Sequence, residues 1–561
     1  EAFKYITWLA NEVPGRYAGS EDEVKSANYI QRTLCEYGVS AKQYEVDAYL
    51  GVPGGANLQI REPEKKAIEA SPRVSSSVPI TGELLLIASK EEARERNGDI
   101  AGKVVLAPYS YGLPISPEDV HARGGKGMIL GNWGPSDLDV LRVTAPQTWI
   151  YWGVPTPEIF RVGEGEALPQ IFVGRKSYEV LRDLCRKKTV KVTFESSISS
   201  KWAKAHMVVG EVESANRAED FVLLGSHHDS WSPGASDDAA GVGMMIELAR
   251  VFQNNRGRLT RNIRFAFVSG HENGAYATST WYLDNFWGDI NDHAVCFAVY
   301  DTPGFKNAPE YKLEVSEELS DFATECARDI VGNDVVLNVH RANKTADRGF
   351  FGIGIPSIYT RNAFLRKQID EWRGAFLGYW NHSSHDTIDK IGQENFVQNM
   401  RIRALETFRL CSTDLIPYNF IRVVEAFKKR LEGWEDISGF DLGPTRKYVN
   451  LFHERLQALY KALEGRQFGE RELNEANSIL KRLARVITPI NYTTKGRYGQ
   501  DIFGTDLSKP LVALKDVDEV PSSEEGSPER IMLLTKLLRE KNRVNDALRE
   551  GVSLIDSFLK R

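Results

Sequence analysis

The sequence has no long hydrophobic run and no excess of positive charge, and these two absences exclude two classes of protein. No stretch of its 561 residues approaches about 18 consecutive apolar positions, so we expect no membrane span. The formal net charge is -6 and no long Lys/Arg run occurs, so a nucleic-acid partner is not expected. The length and the 42% hydrophobic content are those of a soluble globular protein of roughly two to four domains.

Cysteine is also scarce. The 5 cysteines are scattered and no two of them form a C-x-x-C pair. This spacing excludes a structural cysteine–zinc module and gives little support for a disulfide framework, so we expect buried free thiols. The chain begins EAFKYITWL, without a signal-like segment, and the sequence leaves the compartment open between the cytoplasm and a mature exported form.

The pattern of apolar runs divides the chain into three parts. Residues 1–60 together with 201–415 alternate between strand-like and helix-like segments, such as FVLLGS and then DDAAGVGMMIELARVFQ. This alternation predicts an α/β domain whose mostly parallel sheet is flanked by helices. Residues 61–200 contain short apolar runs between Gly and Pro clusters, which predict a β-rich insertion, and residues 416–561 have helical periodicity.

Some element ends can be predicted from single residues. Ser20 is expected to cap an early helix that Gly38 ends, and the runs KQYEVDAYL and NLQIR then indicate two short strands. Ser527, followed by Pro528, is expected to cap the last helix.

Polar residues that bind metals stand at the ends of the predicted strands. His227 and Asp229 follow the strand FVLLGS, and Asp237 stands ten residues after His227, just before a helix. The Ser-Pro-Gly turn between them allows Asp237 to fold back toward His227, at the sheet edge where α/β proteins bind ligands. Imidazole nitrogen and carboxylate oxygen both suit zinc, and an aspartate can bridge two cations.

Three further candidates follow the same arrangement. Glu272 comes after the next strand in FVSGHENG, Asp301 after the following one in FAVYDTPG, and His382 lies in YWNHSSHDTIDKI. Each residue alone is most often an ordinary polar loop residue. Five of them at one sheet edge indicate a metal centre, because so many acids would repel one another without a cation.

The strings HHDSW, GASDDAAG, YDTPG and HSSHDTIDKI resemble those of the superfamily of zinc aminopeptidases, glutamate carboxypeptidase and transferrin receptor. The resemblance implies a phosphorylase/hydrolase-like zinc peptidase fold and identifies residues 61–200 as similar to a protease-associated domain. It also implies that residues 416–561 are a helical domain of the glutamate carboxypeptidase branch, through which the chain forms a homodimer.

Carried over to this chain, the resemblance implies two divalent metal ions, with zinc expected. Asp237 bridges them, while His227 and Asp301 complete one position and Glu272 and His382 the other. A hydroxide between the metals attacks a substrate carbonyl in this scheme. Asp229 orients His227 through its second ring nitrogen. Manganese, cobalt and iron stay open, because the same donor set accepts several metals.

Two further positions depart from the pattern of the family. His271 stands where active relatives carry a glutamate that acts as general base. It is a replacement base, an extra ligand or substrate contact, or the mark of a member that has lost peptidase activity. Asn381 stands where the glutamate carboxypeptidase branch has a tyrosine that donates a hydrogen bond to the tetrahedral intermediate. Because both flank one reacting centre, they indicate an altered substrate or bond.

Five more residues are candidates for substrate contact: Arg497, Tyr498, Asp347, Arg348 and Trp231. The alternative for Arg497 is an arginine on a solvated loop, and Trp231 is expected to pack near the first metal loop. The sequence as a whole predicts a metal-dependent hydrolase of an amide or peptide bond in a small substrate. One alternative is a metal-binding homologue that serves recognition or transport without peptidase turnover. The other is a non-peptidase amide hydrolase.

Overall fold

We analysed a computed structural model of the chain. It describes residues 1–109, 112–144, 151–163, 167–216, 218–434, 437 and 439–560. Within these ranges the strands form one connected sheet system that runs from the predicted α/β domain into the predicted insertion. No helix in the same ranges has the length and apolar character needed to cross a membrane.

The centre of the sheet is parallel. The strands here are β9 (Phe221–His227), β10 (Asn262–Val268), β11 (Ala294–Val299) and β14 (Ser357–Ala363). They pair in parallel as β10–β9, β9–β11 and β11–β14. At one edge β12 (Glu310–Val315) is antiparallel to β14, and β13 (Leu337–Arg341) follows it in parallel. This confirms the predicted mixed α/β class with a mostly parallel sheet.

Helices cover both faces of this sheet. Alternate residues of β9 pack on opposite sides, because successive side chains of a strand point to opposite faces: Val222 and Leu224 belong to one core, Phe221 and Leu223 to the other. The first core includes residues of α1 (Ala2–Glu12), α2 (Glu21–Glu36), α7 (Ala240–Asn254), α10 (Ser320–Val331) and α12 (Gln393–Ser412). The second includes residues of α8 (Ala277–Asn285) and α9 (Trp287–His293).

Two long strands join the main sheet to residues 61–200. They are β1 (Ser40–Glu62) and β8 (Lys191–Val212), which pair antiparallel along nearly their whole length. The prediction of two short strands here was wrong, because KQYEVDAYL and NLQIR lie in the single strand β1. The register shifts between Pro53 and Gly55, so the GVPGGA segment disturbs the pairing without ending it.

The predicted insertion contains its own small sheet together with short helices. Its elements are β2 (Lys66–Ile68), β3 (Ala70–Val74), β4 (Ile80–Leu86), α3 (Lys90–Glu95), β5 (Val104–Pro108), α4 (Pro117–Ala122), β6 (Gly127–Gly131), α5 (Pro157–Gly163), β7 (Gln170–Val173) and α6 (Arg175–Cys185). Strands β4, β5, β6 and β7 are successively parallel.

The C-terminal part is helical, as its periodicity predicts. After the short α11 (Arg366–Glu371) and α12, the helices are α13 (Phe420–Glu432), α14 (Gly443–Leu463), α15 (Glu470–Tyr492) and α16 (Pro528–Leu559). The Ser527 side chain accepts a hydrogen bond from the backbone N–H of Arg530, and the Ser20 side chain accepts one from Glu23, so both predicted caps are confirmed.

A buried carboxyl on α12 gives the fold a pH-dependent stability. Burial raises the pKa of Glu406 to about 7, although Thr360 and Arg403 favour its charged form. The folded state therefore holds this proton more tightly than the unfolded state, so the stabilisation is complete at low pH and is lost as pH rises from about 4.5 to about 7. Between these pH values the free energy of unfolding should fall by about 3 kcal/mol because of Glu406, and we expect Glu406→Gln to remove this fall.

Urea unfolding of the chelator-treated protein at pH 5 and pH 8 measures this effect. Glu406→Gln should gain stability relative to the unmodified protein at pH 8. The matched control is Glu394→Gln on the exposed first turn of the same helix, which should follow the unmodified protein. Equal pH dependence in all three proteins would contradict the assignment.

Candidate metal centre

The five predicted ligands meet at the carboxyl ends of the central strands. His227 is the last residue of β9, while Glu272 and Asp301 follow β10 and β11. Asp237 lies in the turn before α7, and His382 lies in the loop between α11 and α12. The side chains are at most 13% exposed. Side chains separated by up to 155 residues (from 227 to 382) therefore share one buried site.

Asp237 lies between the two imidazoles. Its Oδ1 is 3.0 Å from Nε2 of His227, and its Oδ2 is 3.3 Å from Nε2 of His382. Nε2 of His227 is also 3.7 Å from Oδ1 of Asp301, and Nε2 of His382 is 3.1 Å from Oε2 of Glu272. These pairwise distances are compatible with the two predicted groups that share Asp237, each with the nitrogen and oxygen atoms that zinc accepts. The sets of three whose ligand atoms all lie within 4.8 Å of one another are different: His227 with Asp238 and Asp301, and His227 with Asp237 and Glu272.

Burial and charge make the site attractive to a cation. Burial alone would lower the pKa of His227, but the carboxylates of Asp229, Asp237 and Asp301 raise it well above its usual value. Burial would raise the pKa of Asp237, but His227 and His382 hold it well below its usual range. Nε2 of His227 and Oδ1 of Asp301 are buried without a hydrogen bond among the described residues. The donor set therefore fits a divalent cation.

Asp238 is a competing candidate that the sequence argument missed. One of its carboxylate oxygens lies within 4.8 Å of the ligand atoms of His227 and Asp301. Its Oδ1, however, accepts hydrogen bonds from the backbone N–H of Gly241 at 2.9 Å and of Thr302 at 3.0 Å, and its Oδ2 accepts one from Ser226. Because three donors already occupy this carboxylate, it supports the loops and is a poorer ligand than Asp237.

Asp229 and Trp231 contact two of the predicted ligands, His227 and Glu272. Nδ1 of His227 is 2.9 Å from the backbone carbonyl oxygen of Asp229. The Asp229 carboxylate accepts the backbone N–H of Glu272 at 3.0 Å, and Nε1 of Trp231 donates to Oε2 of Glu272 at 3.1 Å. Asp229 therefore contacts Nδ1 of His227 through its backbone carbonyl, and its carboxylate oxygen Oδ1 lies 3.6 Å from the same nitrogen. Trp231 contacts the predicted ligand Glu272 and is not among the residues that line the cavity beside the site.

The two other histidines of these motifs, His228 and His385, are not among the predicted ligands. His228 is buried, with Nδ1 3.1 Å from Oγ of Ser26 and Nε2 2.8 Å from the carbonyl oxygen of His206. His385 is exposed. Asp386 instead accepts the backbone N–H of Asp237 at 3.1 Å and so fixes the turn that carries this residue.

His271 stacks on the predicted ligand His227 and contacts Asp347. Its ring is 3.8 Å from the ring of His227, at an interplanar angle of 11°. Its Nδ1 is 2.6 Å from Oδ2 of Asp347, whose Oδ1 accepts a hydrogen bond from Ser279. Burial and the neighbouring His227 would lower the pKa of His271, but Asp347 raises it above its usual value. Asp347 thus contacts a site residue directly.

Asn381 is already engaged by its neighbours. Its Nδ2 donates to Oδ2 of Asp237, and its Oδ1 accepts from Nη2 of Arg142 at 3.1 Å. Arg142 comes from the segment 61–200, and sequence reasoning missed it because no motif surrounds it. The next residue, Val143, donates its backbone N–H to the carbonyl oxygen of His382 at 2.9 Å. His382 has φ 60°, so this contact supports a left-handed residue.

A cavity of about 480 Å³ opens beside the site. Its wall includes four of the predicted ligands, together with three of their neighbours: Asp237, Glu272, Asp301 and His382, with His271, Asn381 and Arg142. Of the predicted substrate contacts, none lines this cavity. Arg348 is fully buried behind it, 3.0 Å from Glu314, and Arg497 donates to Asn291. Tyr498 is 82% exposed and stacks on Trp287.

Comparison with known sequences identifies the part of the chain that carries this geometry. Residues 207–406 match the sequence profile of Peptidase family M28. The chain contains an M28 domain. The matched region includes all five predicted ligands together with His271 and Asp347, and leaves most of the insertion and the helical part outside it.

Individual relatives of the M28 domain differ in what their names report. A probable glutamate carboxypeptidase of Arabidopsis thaliana is 22% identical over 320 residues, which cover 50% of this chain and 45% of that protein. An inactive zinc metalloprotease of Schizosaccharomyces pombe is 23% identical over 266 residues, covering 44% and 32%. The chain therefore spans less than half the length of these two relatives.

The fold of a solved zinc aminopeptidase from Bacillus subtilis is similar as well. Its TM-score is 0.55 at 18% sequence identity, over 73% of this chain and 94% of that one. At this identity the likeness concerns the fold, and it confirms the helix-flanked, mostly parallel sheet around the M28 domain.

Proposed function

We propose that the chain is a zinc-dependent hydrolase of an amide or peptide bond, with the five residues named above as ligands of two metal ions. The observation that carries the proposal is the placement of Asp237, whose two carboxylate oxygens face two different imidazoles. Bound metals would supply Lewis acidity to polarise a carbonyl and activate a water molecule. The membership of residues 207–406 in the M28 family supports the same chemistry.

In this proposal His271 is the general base. Asp347 accepts the hydrogen of Nδ1, which leaves Nε2 as the basic nitrogen, and the stacking on His227 fixes the plane of the ring. The intact set of ligands argues against the alternative of a non-catalytic homologue, although one curated relative carries the name of an inactive metalloprotease. One of the two Nδ2 hydrogens of Asn381 is directed to Asp237, so Asn381 orients this carboxylate.

The cavity favours a small substrate with an anionic group. Its volume of about 480 Å³ is that of a small-molecule pocket. Lys312 on β12 lies directly opposite Arg361 on β14, and both line the cavity. Like charges opposite each other destabilise a sheet. The carboxylate of Glu314, which also lines the cavity, forms an ion pair with Lys312. A carboxylate on a short peptide or an N-acyl amino acid would complement this wall.

Metal analysis and a substrate panel test the proposal in that order. After dialysis under zinc-replete conditions we expect about two zinc ions per chain, and less than about one would refute the metal centre. Turnover should then appear on short peptides, N-acyl amino acids or simple amides, with acidic members preferred. Full metal content without turnover on any of them would favour the alternative of a recognition or transport protein.

The division into residues 1–60 with 201–415, 61–200 and 416–561 is part of the proposal, as is a homodimer formed through the helical part. The first half of α16 supports the dimer, because Ile531, Met532 and Leu538 are 59%, 63% and 50% exposed. We expect Ile531→Lys with Leu538→Lys to shift the protein from dimer to monomer in light scattering. An unchanged mass would locate any self-association elsewhere.

A further inference from the structure

A second cavity, of about 550 Å³, lies between α6 of the segment 61–200 and α11 with the loop that follows it. None of the five predicted metal ligands lines it. Of the ten residues that do, four are arginines and one is an acid: Arg182, Arg186, Arg366 and Arg373, with Asp370. We call this cavity the arginine groove. The whole chain has a formal net charge of -6, so the positive charge of the groove is a local feature.

The acids near the groove compensate only part of this charge. Three arginines have an acidic partner: Arg182 has Asp183 at 2.8 Å, Arg366 has Asp370 at 2.8 Å, and Arg373 has Glu179 at 2.9 Å. Glu179 also pairs with Arg175 at 3.1 Å, so one carboxylate serves two cations. A further acid, Glu92, accepts the backbone N–H of Ala88 at 2.6 Å. Arg186 is exposed and makes no ion pair with any described residue.

Arg373 is held in a fixed plane and keeps an unpaired donor. Its guanidinium lies over the ring of Tyr178, 5.0 Å from the centroid, and its Nη2 donates to Glu179. Its Nη1 is buried without a hydrogen bond among the described residues. Burial and the nearby Arg175 lower the pKa of Arg373, so its positive charge lacks compensation at this place. An anion in the groove would supply it.

The cations of the two walls approach one another at Tyr178, which is buried and lines the groove. Burial raises the pKa of its phenol, and Arg373, Arg182 and Arg186 all oppose this rise. Arg182 and Arg186 are four positions apart at the end of α6 and so share a helix face, while Arg373 comes from the other wall. A planar carboxylate presents both oxygens along one edge, whereas the oxygens of a tetrahedral phosphate point toward both walls.

The loop after α11 also connects the groove to the cavity beside the metal centre. Arg175 on α6 donates to the backbone carbonyl oxygen of Glu371 at 2.7 Å. Phe376 and Leu377, three and four positions after Arg373, line the cavity beside the metal centre. A ligand that bridges the two walls of the groove would therefore fix this part of the cavity wall against the segment 61–200.

We propose that the arginine groove binds a phosphate group, as free phosphate or as the end of a phosphomonoester, and that bound phosphate fixes the loop after α11. Arg186 and Arg373 supply charge from opposite walls. The inference goes beyond the proposed function, because the groove contains no predicted metal ligand and its occupancy does not depend on hydrolysis of an amide bond.

Calorimetric titration of the full-length, zinc-loaded protein with sodium phosphate at low ionic strength tests the site, since salt screens exposed charges. We expect Arg186→Gln to weaken phosphate binding at least about tenfold, the scale of a hydrogen bond to a charged group. Arg366→Gln on the opposite wall, whose side chain is 85% exposed, should weaken it as well. The matched control is Lys187→Gln, which removes an exposed cation next to Arg186 that does not line the groove. Phosphate bound at the metals would be lost after chelator treatment, whereas binding in the groove should persist.

Two competitors identify the ligand. Displacement of phosphate by glycerol 2-phosphate would assign the site to phosphomonoesters, and failure to displace it would assign the site to free phosphate. Malonate, a dicarboxylate, should bind more weakly, and equal binding of malonate would overturn the choice of phosphate.

Hydrogen exchange tests the effect on the loop. With phosphate, the amides of residues 372–378 should exchange more slowly in the unmodified protein and not in Arg186→Gln. No phosphate binding to the unmodified protein, or equal weakening by Lys187→Gln and Arg186→Gln, would overturn the site. Unchanged exchange in this loop would overturn its fixation by phosphate. Zinc content and turnover are measured separately, so failure of the groove leaves the proposed function in place.

Discussion

Replacement of Asp237 by asparagine is expected to empty both metal positions at once. The two carboxylate oxygens face different imidazoles, and an amide offers only one oxygen, whose partner Nδ2 would be turned toward a metal or toward Asn381. Zinc content should fall from about two ions per chain to below one, and turnover should fall at least about 10³-fold, which corresponds to about 4 kcal/mol of transition-state stabilisation. Elemental analysis and steady-state kinetics measure the two effects.

The neighbouring Asp238→Asn variant is the matched control. It changes an equally buried carboxylate whose oxygens serve backbone and hydroxyl donors. We expect a lower melting temperature with the zinc content retained. If Asp238→Asn lost zinc and Asp237→Asn kept it, the ligand assignment would be wrong at this turn.

Replacement of His271 by alanine should lower kcat by about 10²- to 10⁴-fold, the contribution of a positioned general base, with a small effect on KM. The reason is that His271 lies in the cavity wall beside the ligands, stacked on one of them, and is not itself paired with a carboxylate of the metal groups. Zinc content should stay unchanged, which separates this role from that of an extra ligand. Asp347→Asn should lower kcat to a lesser degree, because it removes only the partner that orients the ring.

His271→Glu separates the remaining interpretations. If this variant gained aminopeptidase activity that the unmodified chain lacks, peptidase chemistry was lost at this one position. If His271→Ala kept full turnover on the best substrate, the role of base would be refuted. Ser279→Ala is the control. It removes a hydrogen bond to Oδ1 of Asp347 and leaves Oδ2, the oxygen that contacts His271, in place.

The sequence predicted the residues of the site better than the contacts between them. Four of the predicted ligands follow a strand or precede a helix, so topology alone brings these four to one sheet edge. His382 instead comes from the loop between α11 and α12. The contact of Arg142 with His382 could not be predicted, because the two residues lie 240 positions apart and no motif surrounds Arg142. The pairing of His271 with Asp347, 76 residues apart, depends on side-chain direction, which no spacing reveals. Arg497 was predicted as a candidate substrate contact, but its guanidinium lies over the ring of Trp287.

The fold was predicted where periodicity was strong and local. The parallel strands and the C-terminal helices follow directly from runs of apolar residues and their caps. Strand β1 was predicted as two pieces because its glycines and Pro53 are typical turn residues. Its continuity is decided by β8, which offers a partner along the whole length, and such long-range pairing overrides local preference.

The ribbon of β1 and β8 makes the junction with the segment 61–200 a stiff one. The proposed boundaries after residues 60 and 200 both fall inside these paired strands, whose register runs from Ser40–Glu211 to Glu62–Lys191. A protease that cuts exposed linkers has no loose chain to attack there, and backbone amides on both sides should exchange slowly with deuterium. A movement of the segment 61–200 relative to the main sheet would therefore twist a ladder of hydrogen bonds. Tyr109 and Arg142 line the cavity from this segment, so their displacement from the cavity would require torsion in this ribbon.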